Sequence, residues 1–269
     1  MNVARRCTTI LGARIDCVSL GVLLRALFLA CETRQGLHVV TTSIHFLSVA
    51  RNEPDFLSAI NASDFVVADG KLVQWLTYIV GQPAPEQITG HAVFEAVMNL
   101  AKERPLRILL LGGGRNVASD VASKHQVLAP RSEIVGWSGG EFSPNGSNAD
   151  NDALLETIKT FDPHVLFVAL GAPKQELWIY RNRKALSGCV AIGVGNVFDT
   201  QVGILPTVPK ALYQAGLGSV AQLMIAPKRY WRRYLLEDPP TLARALVHAI
   251  GKRIMCSMLG LARRRTRSS

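Results

Sequence analysis

The sequence predicts an α/β fold in which helices flank a mainly parallel sheet. Short β-branched apolar runs alternate with helical patterns between about residues 39 and 194. Because these runs are apolar at consecutive positions, they are typical of strands that are buried on both faces. Basic helical sequence replaces the alternation after about residue 205. We therefore predict a core at 1–205 and a basic helical appendage at 206–269.

The elements follow one another in a strand-then-helix order. Strands are predicted at 39–42, 65–68, 108–111, 133–136, 165–169 and 190–194. Helices are predicted between them, at 44–61, 71–80, 91–103, 115–129, 151–161 and 174–186. The polar segment at 139–151 is rich in turn residues and is predicted to be a surface loop. In such folds ligands gather at the carboxyl ends of the strands.

Composition excludes several classes of protein. A hydrophobic content of 48% is typical of a chain with a substantial core and argues against general disorder. The five cysteines are odd in number and widely spaced, which favours reduced thiols over a disulfide framework or a zinc site. Arg14, Asp16 and Arg25 interrupt the apolar stretches near the N-terminus, so neither an export signal nor a membrane span is predicted there. We expect a cytoplasmic protein.

The positive charge is concentrated at the C-terminus. Residues 228–269 contain eleven Lys or Arg against two acids, a balance of +9 out of the chain's +10. Apolar and aromatic side chains are interleaved with these cations, a pattern that favours an anionic membrane surface. Nucleic acid would also attract arginines, but the Leu, Val, Ile and Met content suits a lipid boundary better than a phosphate groove. A merely solvated tail remains the third interpretation.

Asp69 is the first candidate for chemistry. It follows an apolar strand and precedes Gly70, which places a carboxylate at a strand end beside a flexible neighbour. Such a group suits a general base that activates a hydroxyl. The alternative role is the N-cap of the helix that begins near Lys71.

Two further strand exits carry candidate ligand-binding residues. Gly112 and Gly113 stand where a strand turns into a helix, so their amides could approach a diphosphate, although a tight turn explains them equally well. In Gly-Ala-Pro-Lys-Gln-Glu at 171–176, Glu176 suits the helix dipole. Lys174 and Gln175 have no such role and are candidates for contact with a sugar or phosphate.

The segment that follows the last predicted strand ends in Asp199. This carboxylate suits a contact with the base or ribose of a nucleotide, or a cap of the loop. No metal site is predicted. The six histidines are scattered, and Asp-Asn-Asp at 150–152 is interpreted as a helix cap with a first-turn acid. His45 is predicted to be an ordinary helix residue, and His91 a first-turn residue that follows Gly90.

Together these motifs resemble the WecG/TagA/CpsF glycosyltransferases (glycosyltransferase family 26), over about Leu11 to Leu235. The ordered set is far more specific than any single member. It comprises Asp-Phe-Val-Val-Ala-Asp-Gly at 64–70, Ile-Thr-Gly at 88–90, Ile-Leu-Leu-Leu-Gly-Gly at 108–113, the 171–176 motif, Gly-Val-Gly-Asn-Val-Phe-Asp at 193–199 and Pro-Lys-Arg-Tyr-Trp-Arg-Arg-Tyr at 227–234.

The resemblance implies a Rossmann-like core and transfer of a sugar, with inversion, from a UDP-sugar to a polyprenyl-diphosphate-linked saccharide in cell-surface or exopolysaccharide synthesis. It implies no cofactor and no obligatory metal, and a location on the cytoplasmic side of the membrane. Nucleic acid is not an expected partner. The oligomeric state stays open, a homo-oligomer included.

The resemblance also implies roles for single residues. Asp69 matches the proposed base, Thr41 a pocket position, and Gln175 and Asp199 positions near the donor. Cations of the appendage, namely Lys228, Arg229, Arg232 and Arg233, would contact the membrane or the donor diphosphate, because a metal-free enzyme needs another cation for the leaving UDP.

The chain departs from the family's usual residues at several positions. Ser43 replaces Asn, Gln87 replaces an Arg of the pocket, and His91 replaces Asp. Thr-Val-Pro at 207–209 replaces Arg-Ala-Pro, and Gly-Ser at 218–219 replaces Glu-Trp. All three single positions remain candidate substrate contacts.

Two rival hypotheses follow from the same residues. The departures motivate a catalytically impaired family member that acts as a membrane-bound scaffold. The glycine run at 112–114 motivates a nucleotide-dependent oxidoreductase. Against the latter, the nearest acid, Glu133, begins the next strand, whereas a ribose-binding acid ends it.

Overall fold

A parallel sheet forms the centre of the computed structural model, which describes residues 5–83, 85–137 and 149–265. Most of the loop predicted at 139–151 and the end of the basic tail lie outside the described residues. Within those residues six strands form the sheet. In spatial order they are β4 (Phe65–Ala68), β3 (Leu37–Thr42), β8 (Val190–Gly193), β7 (Val165–Ala169), β5 (Arg107–Gly112) and β6 (Glu133–Trp137). The predicted α/β fold is confirmed, and each predicted strand is found within two residues of its expected bounds.

Helices cover both faces of the sheet. The helices that precede the appendage are α1 (Leu20–Thr33), α2 (Ile44–Asn52), α3 (Pro54–Asn61), α4 (Lys71–Val80), α5 (Gly90–Glu103), α6 (Val117–Leu128), α7 (Ala149–Phe161), α8 (Lys174–Arg181) and α9 (Val197–Gln201). Alternate strand residues face opposite layers: Val39 and Val67 pack with the α1, α5 and α6 side, whereas Val40 and Val66 pack with the α2, α3 and α4 side. This arrangement explains why the strands are apolar at consecutive positions.

One predicted helix is divided. The segment expected to be a single helix at 44–61 forms α2 and α3, which meet at Glu53. Pro54 is the cause, because it lacks a backbone N–H for an interior helix bond but is well suited to the first helical turn. The helix predicted at 174–186 likewise ends early, at Arg181.

An N-terminal hairpin, which the sequence pattern did not reveal, secures the edge of the sheet. Its strands are β1 (Cys7–Ile10) and β2 (Ala13–Asp16). The buried Asp16 carboxylate accepts a hydrogen bond from the Val66 amide of β4 at 2.8 Å and pairs with Arg14 at 3.3 Å. The two charged residues that interrupt the apolar N-terminus therefore fix the hairpin against an edge strand.

The appendage packs on the core. Its elements are α10 (Lys210–Gln214), α11 (Gly218–Ile225), α12 (Pro227–Arg232), a π-helical segment (Arg233–Glu237) and α13 (Asp238–Arg265). Ala245 and Ala249 of α13 are fully buried in the core cluster formed with α2 and α4. Because the two parts share buried apolar surface, the boundary near residue 205 stays a prediction. Across the described residues, no helix has the length and apolar character needed to cross a membrane.

Candidate active site

A large cleft runs along the carboxyl ends of the strands and is covered on one side by the appendage. Its volume is about 1760 Å³. The predicted site residues that line it are Thr41, Ser43, Asp69, Gln87, His91, Gly112, Gly113, Lys174, Gln175, Asp199, Arg229, Arg232 and Arg233. Lys228 alone among the predicted residues does not line it. Within the described part of the chain, no group of three or more His, Cys, Asp and Glu residues is placed to hold a metal ion.

Asp69 sits at the end of β4, where the backbone fixes it from two sides. Its amide donates to the Thr42 carbonyl of the neighbouring strand at 2.8 Å. Its carboxylate accepts a hydrogen bond from the backbone N–H of Gly90, the first residue of α5. The capping role considered for Asp69 is not observed, because the N-cap of α4 is Gly70 and no side chain bonds the helix start there.

The surroundings of Asp69 act on its pKa in opposite directions. Burial raises the pKa, while the positive charge of Arg233 and the Gly90 hydrogen bond lower it, with a net rise to about 6. A carboxyl with this pKa is largely ionised at neutral pH and is still basic enough to accept a proton.

Arg233 connects the appendage to the core beside Asp69. One of its terminal nitrogens donates to the Ser43 hydroxyl at 3.3 Å, and its Nε lies 3.6 Å from the Asp238 carboxylate. Ser43 is the N-cap residue of α2 but makes no side-chain capping bond, so its hydroxyl is directed to this contact. The π-helical segment thus brings a guanidinium into contact with Ser43, and its charge lowers the pKa of Asp69.

His45 also contacts the appendage. Its Nδ1 lies 3.7 Å from an Asp238 oxygen and 4.0 Å from a Glu237 oxygen. The expectation of an ordinary helix residue was incomplete, because residues almost 200 positions away supply its charged neighbours.

A second ion pair joins the appendage to the opposite wall of the cleft. Arg229 donates to the Asp199 carboxylate at 2.9 Å, and the Asp199 side chain is only 15% exposed. Asp199 therefore holds an arginine at the cleft surface, a role that its position after a strand did not indicate. Lys174 is exposed at the start of α8.

Gln175 links two loops that line the cleft. Its side-chain oxygen accepts hydrogen bonds from the Gly171 and Gly195 amides, each at 3.1 Å, and its nitrogen donates to Glu176 at 2.6 Å. Most of its polar capacity is used within the protein. Glu176 is in the first turn of α8 as predicted, yet it is completely buried, and burial raises its pKa to about 8.

Backbone geometry accounts for Gly112 and Gly113. Both have positive φ, 100° and 81°, and a Cβ at Gly112 would lie 2.7 Å from the Ala169 carbonyl oxygen. The Gly113 amide donates to that carbonyl at 2.9 Å, so it is engaged within the fold. The tight-turn alternative is therefore observed, and a diphosphate contact by these residues stays a prediction.

This turn yields a stability prediction. We expect Gly112→Ala to lower the free energy of unfolding by about 2 kcal/mol or more, because alanine is strained at positive φ and its methyl group meets backbone. Gly114→Ala is the matched control, since its φ is not in that region and its Cβ makes an ordinary contact at 3.5 Å. Urea denaturation compares the two variants, and equal stabilities would contradict the steric account.

His91 is held by a hydrogen bond to the neighbouring helix α9. Its Nε2 lies 3.0 Å from the Thr200 hydroxyl, which itself donates to the Val197 carbonyl at 2.7 Å. Because the hydroxyl has one hydrogen, Nε2 is the donor to Thr200. Burial lowers the pKa of His91, which favours the neutral ring.

Sequence reasoning missed several lining residues, among them three tyrosines of the appendage. Tyr230 and Tyr234 stack with ring centroids 5.7 Å apart, and Asn196 donates to the Tyr230 hydroxyl at 2.8 Å. Gln222 donates to the Tyr213 hydroxyl at 2.8 Å. The i, i+4 spacing of Tyr230 and Tyr234 was an available signal, since such residues share one helix face.

Comparison with known proteins identifies the chain as a glycosyltransferase. It belongs to the glycosyl transferase WecG/TagA/CpsF family, whose profile matches residues 8–254. Three similar proteins carry the name N-acetylglucosaminyldiphosphoundecaprenol N-acetyl-beta-D-mannosaminyltransferase. That from Bacillus spizizenii is 27% identical over 81% of both chains. That from Bacillus subtilis is 28% identical over 76% of this chain and 77% of the relative. That from Staphylococcus aureus is 24% identical over 76% and 78%.

Proposed function

We propose that the protein is an inverting glycosyltransferase that moves a sugar from a UDP-sugar to a polyprenyl-diphosphate-linked saccharide in cell-surface or exopolysaccharide synthesis. The observation that carries this proposal is the position of Asp69 at the end of β4, beside Arg233 and inside a cleft of about 1760 Å³. The names of the relatives support a polyprenyl-diphosphate-linked acceptor, and the family supports glycosyl transfer.

In the proposed reaction Asp69 acts as the general base. Its carboxylate takes the proton of an acceptor hydroxyl as that oxygen forms a bond to the anomeric carbon of the donor. The bond from this carbon to the UDP oxygen breaks, and UDP leaves with the electron pair. Attack on the face opposite to UDP inverts the anomeric configuration.

Cations on the cleft surface are suited to the leaving UDP. Arg229, Arg232, Arg233 and Lys174 all line the cleft. Their charges would stabilise the negative charge that develops on the diphosphate in the transition state. Asp199 contributes indirectly, because its ion pair with Arg229 fixes one of these cations. Thr41, Ser43, Gln87 and His91 would contact the sugars.

The appendage is also the proposed contact with the inner face of the cell membrane. Met224, Trp231 and Leu236 are 79%, 48% and 56% exposed, and Trp231 directly precedes the cleft-lining Arg232. Lys228 lies in the same segment and is exposed. Exposed apolar side chains beside basic ones suit an anionic lipid surface, where a polyprenyl acceptor resides.

We expect the triple variant Met224→Ser, Trp231→Ser, Leu236→Ser to bind anionic vesicles at least tenfold more weakly, because it removes apolar area that would enter the lipid boundary. The control is Val127→Ser with Leu128→Ser. These α6 residues are 81% and 51% exposed but lie outside the appendage. Co-sedimentation with vesicles measures both, and equal loss in the two variants would contradict the docking face. Deleting 228–269 is a poorer test, because it also removes buried Ala245 and Ala249.

A donor panel separates this function from its rivals. UDP release is measured with several UDP-sugars, with and without a short-chain polyprenyl-diphosphate-linked saccharide. Acceptor-dependent UDP release supports the proposal. Oxidation or reduction of a nicotinamide cofactor would indicate an oxidoreductase, and vesicle binding without turnover of any donor would indicate a scaffold.

A further inference from the structure

A side pocket of about 240 Å³ adjoins the cleft. The start of α5 and α9 form its walls on the core side, and α10, α11 and α12 close it from the appendage. Seven of its lining residues also line the cleft, so the two spaces share a border. The shared residues are Gln87, Thr89, His91, Asn196, Tyr213, Gln222 and Tyr230.

The side pocket differs from the cleft in charge. Among the described residues, its lining contains no Lys or Arg and a single acid, Glu95. Arg229, Arg232, Arg233 and Lys174 all belong to the cleft alone. A phosphate or carboxylate in the side pocket would find no cation among the described lining residues, whereas an uncharged group needs no such partner.

The walls combine apolar surface with oriented polar groups. Leu205, Val208 and Ile225 provide apolar contact, and the tyrosine rings add aromatic surface. The Nε2–H of His91 is engaged by Thr200, which leaves Nδ1 as an acceptor. Apolar contact together with a few fixed hydrogen-bonding groups is the usual composition of a small-molecule site.

Tyr213 presents a hydroxyl donor to this pocket. Its hydroxyl accepts from Gln222 at 2.8 Å, and Gln222 is held in turn by the Tyr234 hydroxyl. The hydroxyl hydrogen therefore remains for a ligand. Burial, together with the Asp69 charge, raises the pKa of Tyr213 to about 12, which keeps the hydroxyl protonated.

Gly218 provides the space for the Tyr213 ring. A Cβ at Gly218 would lie 2.5 Å from the ring, closer than any real contact allows. Gln87, His91, Thr207 and Val208 line the same pocket.

We propose, on the basis of the function proposed above, that the side pocket is a subsite for one uncharged pyranose unit of the substrate and that Tyr213 is its specificity-determining hydrogen-bond donor. The pocket volume suits a single sugar ring, and the hydroxyl would donate to a ring-substituent oxygen, either a hydroxyl or an acyl carbonyl. The sugar could belong to the donor or to the acceptor.

Binding of simple sugars tests the subsite without requiring turnover. Ligand-observed NMR is recorded on the full chain with the methyl glycosides of glucose, N-acetylglucosamine and N-acetylmannosamine, and with methyl glucuronide as the charged probe. We expect at least one neutral glycoside to bind, glucuronide to bind at least tenfold more weakly, and Tyr213→Phe to weaken the neutral ligand about tenfold. Tyr78→Phe is the matched control, because Tyr78 is 64% exposed on α4 and lines neither space. No binding by the parent, or equal binding by parent and Tyr213→Phe, would overturn the proposal.

Introducing a positive charge gives an independent gain-of-function test. We expect Gln87→Arg to improve glucuronide binding relative to the neutral glycosides by about tenfold, since guanidinium pairs with carboxylate and an amide does not. Gly218→Ala should mimic Tyr213→Phe by displacing the ring. An unchanged ranking in Gln87→Arg would exclude it from the subsite and contradict the proposal.

Kinetics assign the sugar to its source and separate the two proposals. An increase in KM for the UDP-sugar in Tyr213→Phe indicates the donor sugar, and an increase in KM for the lipid-linked saccharide indicates the acceptor sugar. If the parent turns over no UDP-sugar, the proposed function fails, whereas the subsite still stands or falls on the NMR comparison.

Discussion

Asp69→Asn is expected to lower the rate of sugar transfer by about 100-fold or more, because the amide keeps the shape of the side chain but cannot accept a proton. Asp55→Asn is the matched control, since Asp55 is an exposed first-turn acid of α3. Steady-state rates of UDP release with the lipid-linked acceptor measure the effect. Parent-like turnover in Asp69→Asn would show that the carboxylate is not the base.

The same substitution should leave folding intact. Burial raises the folded-state pKa of Asp69 to about 6, above its ordinary value of 3.8, so the ionised form is disfavoured in the folded protein. Stability therefore declines as pH rises between these two values and stays lower above them. Removing the charge should leave the free energy of unfolding at pH 7 unchanged or slightly higher. A large loss of stability would mean that activity is lost through unfolding.

Arg233→Ala is expected to reduce transfer by about 30-fold, because it removes a charge-assisted contact and a cation beside the proposed leaving group. It also has a distinctive effect on pH dependence. Since Arg233 lowers the pKa of Asp69, its removal should move the midpoint at which activity rises from near 6 to a higher pH.

Arg233→Lys should change the transfer rate and the pH midpoint less than Arg233→Ala does, because it keeps the charge but loses the planar geometry. Arg244→Ala is the control, since Arg244 is an exposed cation of α13 outside the cleft lining. An unchanged pH midpoint in Arg233→Ala would contradict the electrostatic coupling between Arg233 and Asp69.

Local patterns in the sequence were sufficient for the sheet and for the strand-end positions of the candidate residues. The runs at 65–68 and 165–169 form strands, and they are apolar at consecutive positions because both faces are buried. The positions of Asp69 and Gln175 after the ends of these strands could therefore be predicted. Contacts between distant segments could not be predicted in this way. Arg233 meets Ser43 across 190 positions, and that contact depends on how the appendage folds back over the cleft.

Local patterns also could not decide the role of a residue whose chemistry suits two roles. Gln175 has the chemistry of a sugar ligand, but the loops around Gly171 and Gly195 engage its oxygen. Asp16 was interpreted only as a break in an apolar run, whereas its carboxylate binds the Val66 amide. In both cases the partner is a backbone amide, and backbone amides carry no sequence signal.

The most direct test of the proposed function is mass spectrometry of the lipid product. The full chain is incubated with a panel of UDP-sugars and a short-chain polyprenyl-diphosphate-linked N-acetylglucosamine, beside the Asp69→Asn variant. We expect a lipid heavier by one sugar residue, an equal amount of UDP, and almost none of this product from the variant. NMR of the isolated product should show an anomeric configuration opposite to that of the donor sugar. A product with retained configuration, or equal product from the variant, would contradict Asp69 as the base of an inverting transfer.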